Sequence, residues 1–360
     1  MNITGLKKFL KSNAGRSTPF IYGPPGGAKS SAIHQIYDEL GMNFFADVRL
    51  GTMDPPEIKG HLIVDIENKA TISTIPDYFP VIRDGGEEPF GIILLDEYDH
   101  ALPSMQSASY QLLNDKKIGR HALPPNVWVM CASNSAADGG VHFRVPRPVK
   151  NRVIQIFAKA DHEEWYTYAL KNEVHPLFIA FIRANPEYLY YDSKEDNAML
   201  NSLQAFCSPR SIFTGSKLFE GSDEFLEDMD LLREVLVGTI GYTPANALLE
   251  FADRVDTTLD VDSVIKGEFS GLDKADLGNA SAMYYFLTEL ERDFLTNPGR
   301  AKKTQEGVLE FINMIPDVAL KTVFFSRISN QYNRATKPLS KEVEALALRK
   351  QILKAISDTI

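Results

Sequence analysis

The sequence predicts an α/β protein: a parallel five-stranded sheet with a β-hairpin insertion, followed by an all-α remainder. Three observations predict it. Short apolar runs recur through residues 1–158 with helix-like segments between them, the alternation that builds a parallel sheet buried on both faces. Residues 52–82 interrupt that alternation with prolines, Gly60 and two short alternating stretches. From Asp161 onward the apolar spacing turns helical and stays so.

The first expected strand is Phe20-Ile21-Tyr22. Gly23-Pro24-Pro25-Gly26-Gly27-Ala28-Lys29-Ser30 follows it and opens a helix from Ser31 to Leu40. Strand, glycine-rich loop and helix in that order are the setting of a phosphate-binding loop. Backbone N–H groups of the non-proline residues between Gly23 and Ser31 would cradle phosphates, with Pro24 and Pro25 shaping the turn, and the helix N-terminus adds partial positive charge. Lys29 would reach the β- and γ-phosphates, and the Ser30 hydroxyl would ligate Mg²⁺. Ala28 stands where a glycine is expected before the lysine. Its methyl group tolerates positive φ poorly, so the loop is expected to curl without that freedom.

Residues 44–49 read as a second strand. The insertion at 52–82 then carries alternating stretches from His61 to Ile66 and from Ala70 to Ile75, with Glu67-Asn68-Lys69 near the turn of a hairpin. Gly91 to Asp96 is an apolar run ending in an acid, as a central strand would, and Glu97 follows at once. An acid at the C-terminal end of a buried strand beside a phosphate loop suits the Mg²⁺ side of a nucleotide site, and the next acid can polarise an attacking water. Asp96 is therefore the metal-side candidate and Glu97 the general base. A helix is expected at 104–114. Val127 to Ala132 is the fourth strand, and Asn134 just beyond it can hydrogen-bond a γ-phosphate or the water.

Val153 to Phe157 is the fifth strand, preceded by Arg152, which is placed to be presented to a neighbouring subunit's γ-phosphate. Arg144 and Arg147 are its rivals. Further on, Cys207-Ser208-Pro209-Arg210-Ser211 starts another helix and would put Arg210 at its head, facing the phosphates. Residues 192–209 and 256–280 read as polar and loop-rich. Leu248, Leu249, Phe251, Val323, Phe324 and Ile328 read as core of a helical accessory region.

The bulk properties narrow the classes. A chain of 360 residues has room for two or three domains, read here as 1–158, 159–240 and 241–360. The only two cysteines, Cys131 and Cys207, have no metal-type spacing, which argues against a zinc site or a disulfide framework and fits a reducing cytoplasm. No signal-peptide core or membrane-spanning run is found. A net charge of −10 argues against a surface that grips duplex DNA nonspecifically. The charge is uneven: residues 220–299 hold 18 acidic and 5 basic side chains, and residues 300–360 hold 11 basic and 6 acidic. Solvated helical faces account for this most simply; complementary docking of the blocks is the sharper alternative.

Taken together these motifs resemble the AAA+ ATPases, and among them the MoxR-like branch. Gly23 to Ser30 resembles Walker A in its GPPGxAKS form, Ile92 to Glu97 Walker B, Asn134 sensor 1, Arg152 the arginine finger and Arg210 sensor 2. Arg49 to Gly60, Tyr110 to Asn114 with Gly119 to Pro124, and His175 to Glu187 are also similar to that branch. The resemblance implies ATP and Mg²⁺ as ligands, a helical lid at 159–240, a ring-shaped homo-oligomer, commonly hexameric, and a remodelling action on a protein client. It also implies a separate von Willebrand factor A-type adaptor as a possible partner. The alternative is a DNA-directed motor or loader in replication, recombination or packaging. That would need basic pore-facing residues, for which the insertion region offers Lys59, Lys69, His61 and Arg83 among Asp65, Glu67 and Asp77.

Overall fold

Alternate residues of the buried strands point to opposite faces of the sheet, and the packing follows that period of two. In the computed structural model, described over residues 1–13, 15–80, 87–134, 143–159, 161–193, 205–221, 223–255, 259–269, 276–297, 299–300 and 305–335, the chain forms two compact units, Met1–Glu164 and Trp165–Ile360. Arg83, residues 81–82 of the insertion and residues 336–360 lie outside the described residues.

The first unit begins with α1 (Ile3–Ser12), then β1 (Thr18–Gly23), α2 (Lys29–Glu39) and β2 (Phe44–Arg49). After β2 come α3 (Pro55–Lys59) and a hairpin of β3 (Leu62–Asp65) and β4 (Ala70–Ser73). The chain returns to the sheet as β5 (Gly91–Asp96), crosses through α4 (Pro103–Asp115), and makes a second small hairpin of β6 (Lys117–Ile118) and β7 (His121–Ala122). It closes with β8 (Val127–Asn134), the short α5 (Arg147–Lys150) and β9 (Val153–Phe157).

The sheet has five parallel strands in the order β2-β5-β8-β1-β9. Ile92, Leu94 and Met130 face one side, where they pack with Leu6, Leu10, Ile33 and Ile36 of α1 and α2. Ile93, Leu95 and Val129 face the other, where Met105, Leu112 and Leu113 of α4 cover them. The five expected strands are all present, and the expected hairpin is β3–β4. α1 was not anticipated. Asn2 caps it by accepting from Gly5 N, and Leu6 and Leu10 bury its inner face. Its apolar residues Ile3, Leu6, Phe9 and Leu10 recur at helical spacing, so the period was there to be read in the sequence.

Beyond α6 (His162–Lys171), the second unit is helical. α7 (Pro176–Ala184) is apolar all round apart from Arg183, and residues 176–183 are all buried. Trp165, Phe178, Phe181, Leu236, Leu248 and Phe251 belong to one core, and Phe286, Leu290, Phe311 and Phe324 to another. The side chains expected as core are buried, with Val323 packed at the margin of the second. The stretch 256–280, expected as loop, contains a helix at Val261–Lys266. Asp260 caps its start and Gly267, at φ +76°, ends it. Six residues are too few to show a helical period. The acidic and basic blocks meet within the chain at Arg300, which pairs with Asp262 and, at 2.9 Å, with Asp293. Among the described residues no helix is long and apolar enough to cross a membrane.

Candidate functional site

Parallel sheets gather chemistry at the carboxyl ends of their strands, because the loops that leave those ends converge there. Here β8 lies between β1 and β5, so the loops after all three strands adjoin. Gly23 is in register with Asn134, and Leu95 with Cys131. The glycine-rich loop, the Asp96-Glu97 pair and Asn134 thus come together at one edge of the sheet.

The loop is tightly seated. Ala158 N–H donates to Tyr22 O at 2.7 Å, which brings β9's end against Gly23. A Cβ on Gly23 would lie 2.3 Å from Ala158 O, so only glycine fits. Gly27 N–H donates to Pro24 O at 3.1 Å, closing the turn. Gly26 has φ +70° and Ala28 φ +61°. The expectation that Ala28 would avoid the left-handed region is therefore wrong. Ala28 is the N-cap of α2, and its carbonyl accepts from Ala32 N–H at 2.9 Å. Left-handed backbone at this point costs an L-residue about 1–2 kcal/mol. In return, residues of alternating hand turn successive N–H groups to one side, the anion-binding concavity known as a nest.

Lys29 is buried at the first position of α2. Its Nζ donates to Gly23 O at 2.9 Å, Pro24 O at 2.8 Å and Asn134 Oδ1 at 3.0 Å. Ser30 Oγ donates to Asp96 Oδ2 at 2.8 Å, and Glu97 N–H donates to Asp96 Oδ1 at 2.9 Å. Asp96, Glu97, Ser30 and Asn134 are half-buried, and Ser31 is exposed on the outer side of α2. Glu97 turns the chain sharply out of β5, at φ +52°.

Three residues that sequence reasoning passed over shape this edge. Asp99 N–H donates to Ser133 Oγ at 3.2 Å, and the Ser133 hydroxyl donates back to Asp99 Oδ1. This reciprocal buried pair ties the tip of β8 to the turn after β5, which holds Asn134 level with the two acids. On β2, burial and the charge of nearby Asp96 push the Asp47 carboxyl above its usual range. The signal was present for Ser133 and Asp99, as polar residues just past strand ends, but their pairing is a long-range contact that one sequence does not reveal.

The arginines are distributed differently. Val153 pairs with Thr18, so Arg152 stands at the amino-terminal edge of the sheet, opposite the glycine-rich loop. At about 3.3 Å per strand residue, the two are separated by on the order of 17 Å along the strands. Arg152 Nε donates to Asn114 Oδ1 and Nη1 to Pro148 O at 3.0 Å, and its guanidinium lies over the Tyr110 ring, 5.0 Å from the centroid. Arg144 and Arg147 are exposed. Arg210 is the second residue of the helix Pro209–Lys217 in the second unit. Ser208 and Ser211 cap that helix reciprocally, and the Arg210 side chain is exposed.

The donor set fits a hard divalent cation that arrives with phosphates. Ser30 and Asp96 already meet oxygen to oxygen at 2.8 Å, and a Mg²⁺ ion takes one or two protein oxygens while phosphate and water supply the rest. Among the described residues there is no cluster of three or more His, Cys, Asp or Glu side chains able to hold a metal unaided.

Neither a family model nor a curated relative matches the sequence. Among solved structures the chain is similar to NtrX from Brucella abortus, at 16% identity and a TM-score of 0.36 over 89% of this chain and 67% of that one. It is similar to a presumptive ATPase from Cytophaga hutchinsonii, at 13% identity and a TM-score of 0.31 over 96% and 88%. It is also similar to the RuvB Holliday junction branch migration motor of Thermotoga maritima, at 14% identity and a TM-score of 0.35 over 86% of each chain. At those values the likeness carries no argument about chemistry.

Proposed function

We propose that this chain is an ATP-hydrolysing AAA+ protein of the MoxR-like kind, acting as a homo-oligomeric ring, of six subunits by the family pattern, on a protein client. One observation carries the reading: a glycine-rich loop, a buried lysine, a serine–aspartate oxygen pair, a following glutamate and an asparagine converge at the carboxyl ends of three adjacent parallel strands.

The roles follow from the chemistry of each group. Lys29 rests on two loop carbonyls and an amide oxygen, partners that an anionic phosphate outcompetes. Its release by phosphate also frees Asn134 Oδ1, which then accepts a hydrogen bond from the attacking water. Ser30 and Asp96 are the residues that would hold Mg²⁺, and the ion bound with ATP neutralises charge on the phosphate oxygens. Glu97 takes a proton from the water as the water oxygen attacks the terminal phosphorus, and the bond from that phosphorus to the bridging oxygen breaks, releasing ADP and phosphate. Arg152 faces away from its own loop, so it serves a neighbour's site, with Arg144 and Arg147 as alternative fingers. Arg210 supplies a further positive charge from the helical lid. A von Willebrand factor A-type protein is a suitable separate adaptor.

The test is Glu97→Gln. The variant is expected to bind magnesium-ATP and assemble like the wild type while steady-state hydrolysis falls about 10²–10⁴-fold. Mixing it with Arg152→Ala subunits should restore part of the activity. Wild-type-like turnover in Glu97→Gln would remove Glu97 from the mechanism. Strong stimulation by DNA that vanishes steeply with salt would redirect the reading to a DNA-directed motor.

A further inference from the structure

The insertion carries an apolar surface that, among the described residues, nothing in its own unit covers. Leu62, Ile63, Val64, Ile66 and Ile72 are 50% to 83% exposed, within eleven consecutive residues. Leu62 and Val64 stand on one face of the β3–β4 hairpin. Ile63 pairs with Ile72 on the other, and Ile66 sits at the tip. Both faces are therefore apolar. Among the described residues the hairpin is also a sheet of two strands, each with an outer edge that no other described strand pairs. Such a ribbon is marginal in water and offers a template for another strand.

Its base, by contrast, is fixed. Ile58 and Phe79 are buried in the core, and Tyr78 OH donates to Ile58 O at 2.9 Å. His61 N–H donates to Thr74 Oγ1 and Thr74 N–H to His61 O, each at 2.8 Å, and Ser73 Oγ donates to Lys59 O at 2.9 Å. Gly60, at φ +80°, is so close to Thr74 that a Cβ there would lie 1.8 Å from its carbonyl oxygen. Just before the insertion, Gly51 lies beside the candidate catalytic turn. A Cβ on Gly51 would stand 3.4 Å from His100 Cβ and 3.8 Å from Glu97 Oε2. An exposed apolar ribbon is thus held on a hydrogen-bonded foot that follows, in the chain, the residue packed beside the turn bearing Glu97.

The chemistry of the ribbon selects its occupant. From 59 to 74 it holds two lysines and two acids, which balance, so it offers no cationic surface to nucleic acid or anionic lipid. Five aliphatic side chains expose on the order of a few hundred Å², short of the about 800 Å² per partner of a stable dimer. They are also divided between two faces, and a flat partner covers only one. A strand added along an edge covers both, because its own side chains alternate between the faces while its backbone satisfies the open N–H and C=O groups.

We infer that the β3–β4 hairpin binds an extended, apolar polypeptide segment by strand addition. This rests on the reading of the chain as an ATP-driven remodeller and supplies the element that holds its client. The test uses the full-length chain with magnesium-ATP and a fluorescent ten-residue peptide alternating valine and threonine, measured by anisotropy. A second peptide has the same side chains but N-methyl groups on alternate backbone nitrogens. Wild type is expected to bind the first peptide, with Val64→Ser/Ile72→Thr weakening it about tenfold or more. The N-methylated peptide should bind as weakly as the first peptide does to the variant. Equal binding by wild type and variant, or of both peptides, overturns the inference, as does no peptide binding by a wild type that binds magnesium-ATP. If the double substitution instead dissolves the oligomer, the ribbon is an interface between copies and the inference is wrong. Failure to bind magnesium-ATP at all would sink the nucleotide reading, a separate result visible in the same titration.

Discussion

Replacing Ala28 with glycine and with valine probes the backbone of the glycine-rich loop directly. Ala28 sits at φ +61° and ψ +20°. Glycine removes a left-handed penalty of about 1–2 kcal/mol, while its freer unfolded chain costs about 0.4–1 kcal/mol. Ala28→Gly should therefore be between neutral and about 1.6 kcal/mol more stable. Valine is β-branched and a genuine outlier at positive φ, so Ala28→Val should be about 2 kcal/mol or more less stable than wild type. The two tryptophans make this measurable. Trp128 lies in β8 of the first unit and Trp165 in the second. In a Trp165→Phe background, urea unfolding followed by tryptophan fluorescence reports the first unit alone. With a slope of about 1–3 kcal/mol per molar urea, the valine variant should unfold about 1 M earlier. An unshifted midpoint for Ala28→Val would refute the left-handed loop, and with it the nest of inward N–H groups.

Two further outcomes concern the second unit, read in a Trp128→Phe background. His175 caps α7 by accepting from Leu177 N–H at Nδ1, 3.3 Å away, and burial, followed by the nearby Arg292 charge, pulls its pKa below the ordinary 6.5. The unfolded chain then binds the proton first, so stability present above pH 6.5 should fall as the pH drops below it, by about 1 kcal/mol for the lost cap. His175→Asn should flatten that slope, and an unchanged slope would contradict the assignment. Arg183 and Glu291 form an ion pair at 2.5 Å with side chains only 4% and 2% exposed. Glu291→Leu should cost about 3–5 kcal/mol by stranding the guanidinium, and Arg183→Met/Glu291→Leu should recover most of it. A single substitution within 1 kcal/mol of wild type by urea unfolding would show the pair to be solvated.

What the sequence displayed and what it hid divide along a physical line. Gly23 to Ser30, Asp96-Glu97 and Asn134 were legible because each follows an apolar run that defines a strand end, and strand ends of a parallel sheet share an edge. The sheet was legible for the same reason: Ile92 to Leu95 and Val127 to Ala132 are too uniformly apolar to be anything but buried. The hand of Ala28 was not legible, since a residue's preference says little where a helix start and a close neighbour strand dictate its angles. Ser133 with Asp99, and Arg183 with Glu291, were hidden because each pair is made by residues 34 and 108 positions apart. The exposure of the β3–β4 hairpin was equally hidden: alternating aliphatics look the same whether a second layer covers them or not.

We propose Lys29 and its loop as the seat of a triphosphate. Calorimetric titration of magnesium-ATP into the full-length chain, beside Lys29→Met, tests this most directly. Wild type is expected to bind saturably at one site, and the variant with affinity lowered at least about tenfold, the loss of one charge-assisted contact. Equal affinity for both proteins, or no binding by the wild type, would contradict it.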